Sequence, residues 1–538
     1  MNESTGSTVT RPEFLDCTFR DGGYYNNWDF DKRVSSAYLD SVAKLPISIV
    51  EIGYLSAPKP GYFGQYFFLS VPVLADIKSR LAPAQRLAVM LDAKDHRSTD
   101  MAAILKNMLG IVDIVRIAVA PTNLAHGLAL AERIRALGFE VGVNIMHLSR
   151  FADNLGALME LPDISKVART VSLVDSYGAC EPDQVRSAVQ QARAIIPAAN
   201  IGFHGHDNLG LAFANSLAAV EAGALVIDGT MAGMGRGAGN TRTEMLLVRE
   251  AVRTEAALNF DALTSVMDVF DDLKEKYRWG TNLPYMISGA SDLPQKDVMD
   301  WVGKNRYSMV SILRALHGDR AGGVDTRRFD SLCPPEDGTV AEVLIVGGGP
   351  SVVEHIDGIE DYLRLSEATV IHSNFRHLDI LDRFGGGQLV CLAGDGVTRL
   401  PPPAMRKAVS ALVAPEPPRL SGAVPEDETS TVVQVAPFTS NGIPALLGPV
   451  SDTGPLALGL GVALALGAKR ISLVGFDGYH NASAAQQALA RETQEMLDAF
   501  CVTHPDLIVS SLTPSTYQLP ATSLYSRIVE LLRQDDRA

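Results

Sequence analysis

Residues 200–230 read NIGFHGHDNLGLAFANSLAAVEAGALVIDGT. The segment begins with the short apolar run Asn200–His204, continues through a longer amphipathic stretch and ends in a second run, Leu225–Thr230. This order predicts a strand, a helix and a second, parallel strand. The segment therefore favours an α/β fold, and it places two histidines at the end of a strand.

The same alternation extends back to Phe14 and gives eight predicted strands. These are Phe14–Thr18, Ser48–Gly53, Leu87–Asp92, Val112–Ala118, Glu140–Met146, Val171–Asp175, Asn200–His204 and Leu225–Thr230. Eight parallel strands in roughly 250 residues are typical of a (β/α)8 TIM barrel. A doubly wound sheet would use fewer strands and carry a glycine-rich turn after the first, where this chain has Arg20-Asp21-Gly22-Gly23. We predict a TIM barrel over residues 12–255.

Two further regions follow the predicted barrel. Residues 256–330 lose the strand pattern and predict a helical extension, as in Phe260–Lys276 and Asp297–His317. Residues 340–538 return to short apolar runs and predict a Rossmann-like α/β domain. Its strand candidates are Val343–Val346, Thr369–His372, Gln388–Leu392, Thr431–Val435, Arg470–Val474 and Leu507–Ser511.

Composition narrows the class of protein. A chain of 538 residues is too long for one ordinary core. Its net charge of −15 argues against a nucleic-acid or anionic-membrane partner. Five scattered cysteines without a Cys-x-x-Cys pair indicate a reducing compartment rather than a zinc or disulfide framework. The longest apolar stretch, Leu456–Gly467, is too short to span a bilayer. We expect a soluble cytoplasmic protein that forms a homo-oligomer.

The His204-Gly205-His206 sequence is the sharpest local feature. Side chains two apart on a strand share a face, so both imidazoles can bind one divalent metal, and the intervening glycine leaves space for the ion. The alternative is that the histidines are only packed or hydrogen-bonded. Their position favours a metal, because barrel enzymes place catalytic groups at the carboxyl ends of the strands.

Two more elements reach the same rim of the predicted barrel. The first strand ends in Arg20-Asp21, and closure leaves only strand eight between strands one and seven, so Asp21 can supply an oxygen ligand. The alternative for Arg20 and Asp21 is a structural ion pair. The glycine-rich loop Gly233–Thr241 follows strand eight and can bring the Asn240 amide oxygen to the same ion.

These motifs together resemble a known superfamily. Residues Leu15–Gly23, His204–His206 and Gly237–Thr241 are similar to the DRE-TIM metallolyases, which include hydroxymethylglutaryl-CoA (HMGL-like) lyases, isopropylmalate synthases and 4-hydroxy-2-oxovalerate aldolases. The resemblance covers residues 12–255. Val174–Ser176 and the Gly22-Gly23 turn look most like the aldolase branch.

The resemblance implies a divalent-metal-dependent aldolase or lyase. Its metal would be Mn²⁺, with Mg²⁺, Co²⁺ or Zn²⁺ as alternatives, and the resemblance implies no further cofactor. The reaction would make or break a carbon–carbon bond next to a 2-oxo acid such as pyruvate, through an enolate, with an aldehyde or sugar as the second substrate. Arg20 would stabilise the oxyanion, and Ser176 would contact the substrate carboxylate.

One position departs from the aldolase pattern. The oxovalerate aldolases carry a catalytic histidine three residues after the metal aspartate, where this chain has Tyr24. A phenol has an unperturbed pKa near ~10 and is a poor base at neutral pH. To act as base, Tyr24 would need a lowered pKa or a relaying water. Alternatively, Tyr24 binds substrate, and His147 or Tyr285 transfers the proton.

The second half has a less specific pattern. Val346 runs into Gly347-Gly348-Gly349, and polar loops follow other strands at His372–Asn374, Ala393–Gly396 and Gly475–Tyr479. This half is similar to domains attached to aldolase-like barrels in surface-polysaccharide gene neighbourhoods. It predicts either a nucleotide or sugar-phosphate site or a docking domain. For the whole chain, two alternatives to an aldolase stay open: a Claisen-type acyltransferase that uses acetyl-CoA, and a non-catalytic metal-stabilised scaffold.

Overall fold

The computed structural model divides the chain into two compact units, residues 1–298 and 299–538. It describes residues 11–96, 100–158, 164–293, 295, 298, 299, 302, 324–335, 338, 340–393, 396–420, 422–425, 430–439, 454–479 and 484–535.

The first unit contains a closed barrel of eight parallel strands, which confirms the predicted fold class. Each strand pairs with the next, and the eighth pairs with the first. Their bounds are Glu13–Asp16 (β1), Ile49–Tyr54 (β2), Arg86–Asp92 (β3), Ile114–Val119 (β4), Glu140–Ile145 (β5), Thr170–Asp175 (β6), Asn200–Gly205 (β7) and Val226–Gly229 (β8). Each overlaps one predicted run. The carboxyl ends of β7, β8 and β1 are therefore neighbours, as the site prediction requires.

The helices of this unit connect the strands and then extend beyond the barrel. Their bounds are Thr18–Gly22 (α1), Lys32–Val42 (α2), Val71–Arg80 (α3), Met101–Ile104 (α4), Leu124–Ala136 (α5), Pro182–Ile195 (α6), Ala212–Glu221 (α7), Thr243–Thr254 (α8), Phe260–Tyr277 (α9) and Leu283–Ala290 (α10). Helix α6 illustrates why they form. A Glu181–Gln184 capping box starts it, and its buried positions recur at helical spacing, at Val185, Ala188, Val189 and Ala192.

The inner face of the barrel changes from apolar to ionic along the strands. Near the amino ends of three strands, Ile49, Ile114 and Val226 belong to one buried apolar cluster. Two residues further along these strands stand Glu51, Arg116 and Asp228, which are also buried. Because side chains two apart share a face, the ionic groups form the next layer towards the carboxyl ends.

The second unit is built on an eight-stranded parallel sheet, as the Rossmann-like prediction requires. Its strands are Val324–Asp325 (β9), Asp330–Ser331 (β10), Glu342–Val346 (β11), Thr369–His372 (β12), Gln388–Cys391 (β13), Val409–Pro415 (β14), Arg419–Leu420 (β15), Val432–Val435 (β16), Arg470–Val474 (β17) and Ile508–Ser511 (β18). The sheet order is β10-β16-β14-β13-β12-β11-β17-β18, and β9 and β15 form a separate antiparallel pair.

Helices cover both faces of this sheet. They are Ser351–Glu354 (α11), Ile356–Ser366 (α12), Pro455–Ala465 (α13), Ala484–Thr503 (α14) and Leu524–Asp535 (α15). Along β11, Val343 and Ile345 pack in one apolar cluster, and Leu344 and Val346 pack in another. A strand that is apolar on both faces is typical of a doubly wound parallel sheet.

Some predicted segments lie wholly or partly beyond the described ranges. The predicted helix Asp297–His317 is almost entirely outside the described residues, and so is the centre of the predicted loop Ala393–Gly396. Within 256–330 the described helices are α9 and α10, and the two-residue strands β9 and β10 stand at the end of that span. Such short strands carry no periodic signal. Within the described ranges, we find no helix with the length and apolarity of a membrane span.

Candidate metal and active site

Three buried side chains, Asp21, His204 and His206, converge at the carboxyl end of the barrel, and we call them the metal-ligand cluster. The Nε2 atoms of His204 and His206 lie 3.6 Å and 3.8 Å from Asp21 Oδ2. A ligand atom of each residue lies within 4.8 Å of those of the other two. The structure therefore brings together the three residues from which the sequence predicts a metal site.

Asp21 reaches the cluster from a helical turn rather than from the tight glycine turn that the sequence suggests. Helix α1 begins just after β1, and the Asp21 amide donates to the Cys17 carbonyl at 2.9 Å. Trp28 closes the turn, since its indole N–H donates to the Arg20 carbonyl at 2.7 Å. Gly23 is required because a Cβ there would lie 2.2 Å from the Trp28 ring.

Gly205 has a different role from the predicted one. The alternation of the strand points its Cα hydrogens away from the two histidines, and a Cβ there would lie 2.9 Å from the Phe203 ring. The glycine therefore makes room for Phe203 on the opposite face and does not enlarge the metal site. The expectation that it leaves space for an ion is wrong.

An ion-pair network lies directly beneath the metal-ligand cluster, and we call it the barrel ion network. Its members are Arg20, Asp21, Glu51, Arg116 and Asp228. Arg20 Nη1 contacts Asp21 Oδ1 at 2.7 Å, and Arg20 Nε contacts Glu51 Oε1 at 2.6 Å. Arg116 joins Glu51 Oε2 at 3.0 Å to Asp228 Oδ2 at 2.7 Å. Each guanidinium thus has two carboxylate partners, which fixes Arg20 beside Asp21.

The outer nitrogen of each histidine is held by the protein. His204 Nδ1 lies 3.1 Å from Asp228 Oδ2, and His206 Nδ1 lies 2.9 Å from the Asp175 carbonyl oxygen. Both Nε2 atoms are therefore directed at Asp21. A metal-binding histidine typically donates its other ring N–H to a carboxylate or a carbonyl, as both histidines do in this arrangement.

The pKa values of the same three groups are shifted by burial and by neighbouring charges. Burial raises the pKa of Asp21, but the Arg20 guanidinium and the neighbouring His204 hold that pKa well below its usual range. Burial and the charge of His204 lower the pKa of His206 to about 3. Burial opposes protonation of His204 as well, yet the nearby Asp21 and Asp228 carboxylates raise its pKa above the usual value. The cluster therefore offers a carboxylate, a neutral imidazole and an imidazole whose protonation two nearby carboxylates favour.

A divalent cation fits these donors. His204 Nε2 is buried without a hydrogen-bond partner among the described residues, which is costly unless a ligand occupies it. A second grouping, Cys17, His204 and Asp228, also has metal-ligand spacing. Asp228 already pairs with Arg116, however, and burial raises the pKa of the Cys17 thiol well above its usual value. Asp21, His204 and His206 are therefore the better candidate ligands for a cation.

Asn240 completes this side of the cluster. Its Nδ2 donates to Asp21 Oδ2, and its Oδ1 is buried without a hydrogen-bond partner in the described part of the chain. The glycine loop is folded tightly against it, because a Cβ at Gly235 would lie 2.4 Å from the Asn240 amide nitrogen. Rotation of the amide group would present its oxygen to a cation, as the sequence predicts.

Ser176 and His147 stand together at the rim, after β6 and β5. The His147 amide donates to Ser176 Oγ at 2.9 Å. The His147 ring stacks on Tyr177 with centroids 5.1 Å apart, and its Nδ1 is buried without a partner among the described residues. Burial, with the charges of Arg150 and Arg236, lowers the pKa of His147. The imidazole is therefore a neutral base near pH 7.

The two predicted tyrosines occupy different environments. Tyr24 packs edge-on against Trp28 at 4.8 Å, and burial together with Tyr24 raises the pKa of the neighbouring Tyr54. Tyr285 is buried in α10, beside the glycine loop, where a Cβ at Gly237 would lie 3.5 Å from its ring. Tyr25 donates to the Gly237 carbonyl at 2.7 Å, and burial and the Tyr285 phenol raise the pKa of Tyr25.

The sequence interpretation missed Glu51, Arg116 and Asp228. Each is a charged residue within an apolar strand run, as in Ile49-Val50-Glu51-Ile52. A lone charge in a buried strand is costly unless it is paired, so this pattern was an available signal for an internal ion network. Arg236 was also missed, because arginine in a glycine-rich loop is ordinarily read as a solvated surface residue.

Comparisons with known proteins give a consistent set of relatives. A family model described as HMGL-like matches residues 111–270. A 4-hydroxy-2-oxovalerate aldolase of Thermomicrobium roseum is 29% identical over 331 residues, which cover 60% of this chain and 86% of the relative. An oxaloacetate decarboxylase of Mycobacterium tuberculosis is 31% identical over 249 residues, which cover 45% of this chain and 70% of the relative.

A solved structure supports the same grouping. The N-terminal domain of a candidate aldolase from Bacteroides vulgatus is 42% identical, with a TM-score of 0.53. The match covers 56% of this chain and 99% of that domain.

The barrel, its converging ligands and these relatives define the class: the protein is a metal-dependent carbon–carbon lyase. Within that class the chain belongs to the HMGL-like family, among the DRE-TIM metallolyases. The resemblance that the sequence motifs predict is therefore confirmed.

Proposed function

We propose that the protein is an aldolase that makes or breaks a carbon–carbon bond next to a 2-oxo acid, with pyruvate as the simplest such acid. The observation that carries the proposal is the metal-ligand cluster fixed beside the buried Arg20 guanidinium. Asp21, His204 and His206 would hold Mn²⁺ or a similar divalent ion, with Asn240 nearby. When bound, such an ion supplies Lewis acidity to a carbonyl oxygen.

The charge balance of the site supports a monoanionic substrate. The barrel ion network contains three carboxylates and two guanidiniums, so with neutral histidines it carries one excess negative charge. A divalent cation changes this to one excess positive charge. A 2-oxo acid carries one negative charge and restores neutrality, and a buried site favours such a balance.

The protein side chains then have complementary roles. Arg20, held by Asp21 and Glu51, directs a fixed positive charge to the oxygen on which enolate charge develops. Ser176 Oγ accepts the His147 amide proton, so its own hydroxyl proton is available for the substrate carboxylate.

His147 is the proton-transfer group that the electrostatics favour. Its lowered pKa keeps the imidazole neutral at pH 7, and Nδ1 has no competing partner among the described residues. A phenol is ordinarily a poor base at neutral pH, which disfavours Tyr24 and Tyr285 in this role. We assign substrate contact to Tyr24 and support of the glycine loop to Tyr285.

We also propose a sugar or sugar-derived aldehyde as the second substrate, in sugar-acid or surface-polysaccharide biosynthesis. The support is the resemblance of residues 340–538 to domains that accompany aldolase-like barrels in such gene neighbourhoods. The second unit would then recognise a nucleotide or sugar phosphate.

The test is product formation. The full-length protein with Mn²⁺, pyruvate and a panel of aldoses should yield new species whose masses equal pyruvate plus one aldose. The His147→Gln variant should form them much more slowly, whereas Tyr24→Phe should retain most of the rate. Acetyl-CoA consumption with release of free CoA would instead identify the acyltransferase alternative. No reaction with any aldehyde or acyl donor would favour the non-catalytic scaffold.

A further inference from the structure

Arg236 is a positively charged residue of the site to which the proposed reaction assigns no role. It lies in the glycine loop after β8, with its Cζ 5.5 Å from the centroid of the Tyr24 ring. Its Nε atom is buried and has no hydrogen-bond partner among the described residues. A buried donor without a partner is costly, so its presence beside a reaction site indicates a ligand that completes it.

Three other arginines near the metal-ligand cluster have partners that Arg236 lacks. Arg20 and Arg116 each contact two carboxylates of the barrel ion network. Arg150 lies over the Tyr177 ring at 4.8 Å and donates to the Asp292 carbonyl at 2.9 Å. Arg236 forms no ion pair with any carboxylate in the described part of the chain.

The glycine loop that carries Arg236 packs against the metal-ligand cluster. Gly235 packs against the Asn240 amide, which in turn contacts Asp21. Burial and the charge of Arg150, together with that of Arg236, lower the pKa of His147. The Arg236 guanidinium is therefore close enough to influence the proposed base.

We propose that Arg236 binds an anionic group, a carboxylate or a phosphate, on the aldehyde substrate. The inference rests on the proposed aldolase function. A divalent ion and one 2-oxo acid balance the charge of the barrel ion network, and Arg236 adds a positive charge that has no carboxylate partner among the described residues. A second anionic group would neutralise this charge. Arginine is well suited to bind either a carboxylate or a phosphate.

The location favours the aldehyde over the 2-oxo acid as the bearer of this group. Ser176, assigned to the 2-oxo acid carboxylate, follows β6, whereas Arg236 follows β8 and covers Tyr24, which follows β1. The two anion-binding groups therefore come from different strand ends, with β7 between them. Arg236 is a specificity-determining residue in this arrangement.

The experiment compares matched aldehydes with pyruvate as the partner. Wild-type protein should prefer 4-oxobutanoate over the neutral 4-oxobutanamide, or glyceraldehyde 3-phosphate over glyceraldehyde. The pair with the larger preference identifies the oxyanion as carboxylate or phosphate. At pH 8, where His147 is neutral in both proteins, Arg236→Met should reduce kcat/KM for the anionic aldehyde by about 30-fold, the scale of a charge-assisted hydrogen bond. The rate with the neutral aldehyde should be unaffected. Arg186→Met, which removes a surface guanidinium paired with Asp183 and Glu221, is the matched control and should change neither rate.

Two further readouts separate this inference from the proposed function. Deuterium exchange into pyruvate at pH 8 should be the same in Arg236→Met and wild type. Burial and Arg150 still keep His147 neutral at that pH, and the 2-oxo acid does not contact Arg236. Calorimetric titration with succinate, compared with succinamide, should reveal anion binding that Arg236→Met loses even if no turnover occurs. If the wild-type protein did not exchange deuterium into pyruvate but bound succinate, and Arg236→Met lost that binding, the proposed aldolase function would be rejected. The assignment of Arg236 as an anion-binding residue would stand.

Equal rates with charged and neutral aldehydes in wild type would overturn the assignment of Arg236. So would a preference that survives in Arg236→Met, or an equal loss of pyruvate exchange in that variant.

Discussion

At the scale of single residues, the properties of the metal-ligand cluster depend on the hydrogen-bond partners of each imidazole. His204 lies between Asp21 and Asp228, whereas His206 Nδ1 donates only to the Asp175 backbone carbonyl. This asymmetry explains why the pKa of His204 is raised and that of His206 is lowered to about 3. The two ligands should therefore respond differently to pH.

We predict that metal binding releases a proton from His204. A proton and the cation compete for Nε2, so metal affinity should rise with pH up to the raised pKa of His204 and level off above it. His206 should affect affinity only in strong acid. Calorimetry at pH 6 in buffers of different ionisation enthalpy should detect release of about one proton per Mn²⁺.

The control for this prediction is His126→Gln. His126 Nε2 contacts the Ala93 carbonyl, outside the cluster, so the variant should release the same number of protons. Mn²⁺ binding at pH 6 without proton release would contradict the assigned state of His204.

A variant of Arg20 can separate an effect on metal binding from an effect on the catalytic rate. Arg20→Lys keeps a positive charge but cannot contact Asp21 and Glu51 together with a planar fork. Metal content should persist, while kcat should fall by about 100-fold, the scale of a lost oxyanion contact. An unchanged kcat with full metal content would restrict Arg20 to a structural ion pair.

The residues that could be predicted from sequence are those with a local motif. Asp21, His204, His206 and Asn240 stand in recognisable patterns at strand ends, and the fold brings them together. Arg236 carries no such motif. Arg236 is notable because its buried Nε has no hydrogen-bond partner among the described residues. Such a missing partner is visible in the folded structure but not in a sequence pattern.

At the scale of elements, strand periodicity was the reliable signal. All eight barrel strands overlap their predicted runs, because each is a buried β-branched segment bounded by turns. The short helix α1 was missed, since five residues are too few for a helical pattern. The ionic layer was also missed, because the pairing of Glu51, Arg116 and Asp228 joins strands that are distant in sequence.

That ionic layer yields a stability prediction. Arg116→Met would leave the buried Glu51 and Asp228 carboxylates short of a partner and should lower the free energy of unfolding by about 3–5 kcal/mol. Arg186→Met is a control, because Arg186 pairs with Asp183 and Glu221 at the surface, and its effect should be far smaller. Urea unfolding measures both. Equal stability of the two variants would mean that the network contributes no more than a surface pair.

At the scale of the whole molecule, the chain has two units with separate sheets and separate cores. The metal-ligand cluster and Arg20 all lie in residues 1–298. The sequence predicted two α/β regions from their strand runs. The boundary was harder to locate, because the short strands β9 and β10 precede the first long strand of the second sheet.

A truncated chain tests whether the barrel unit is autonomous. Residues 1–298 alone should fold, bind Mn²⁺ and catalyse deuterium exchange into pyruvate, because that unit has its own continuous core. Addition to a sugar aldehyde should be weakened if the second unit recognises that substrate, with the full-length protein as the reference. An insoluble or metal-free product would show that the barrel requires the rest of the chain.

The most direct test of the central claim is deuterium exchange into pyruvate, followed by NMR as metal is removed and returned. The chelated protein should lose exchange, Mn²⁺ should restore it, and His204→Ala and His206→Ala should neither bind the ion tightly nor exchange. His126→Gln should behave as wild type. Full exchange by metal-free protein, or by either cluster variant, would contradict the assignment of Asp21, His204 and His206 as the metal site of this lyase.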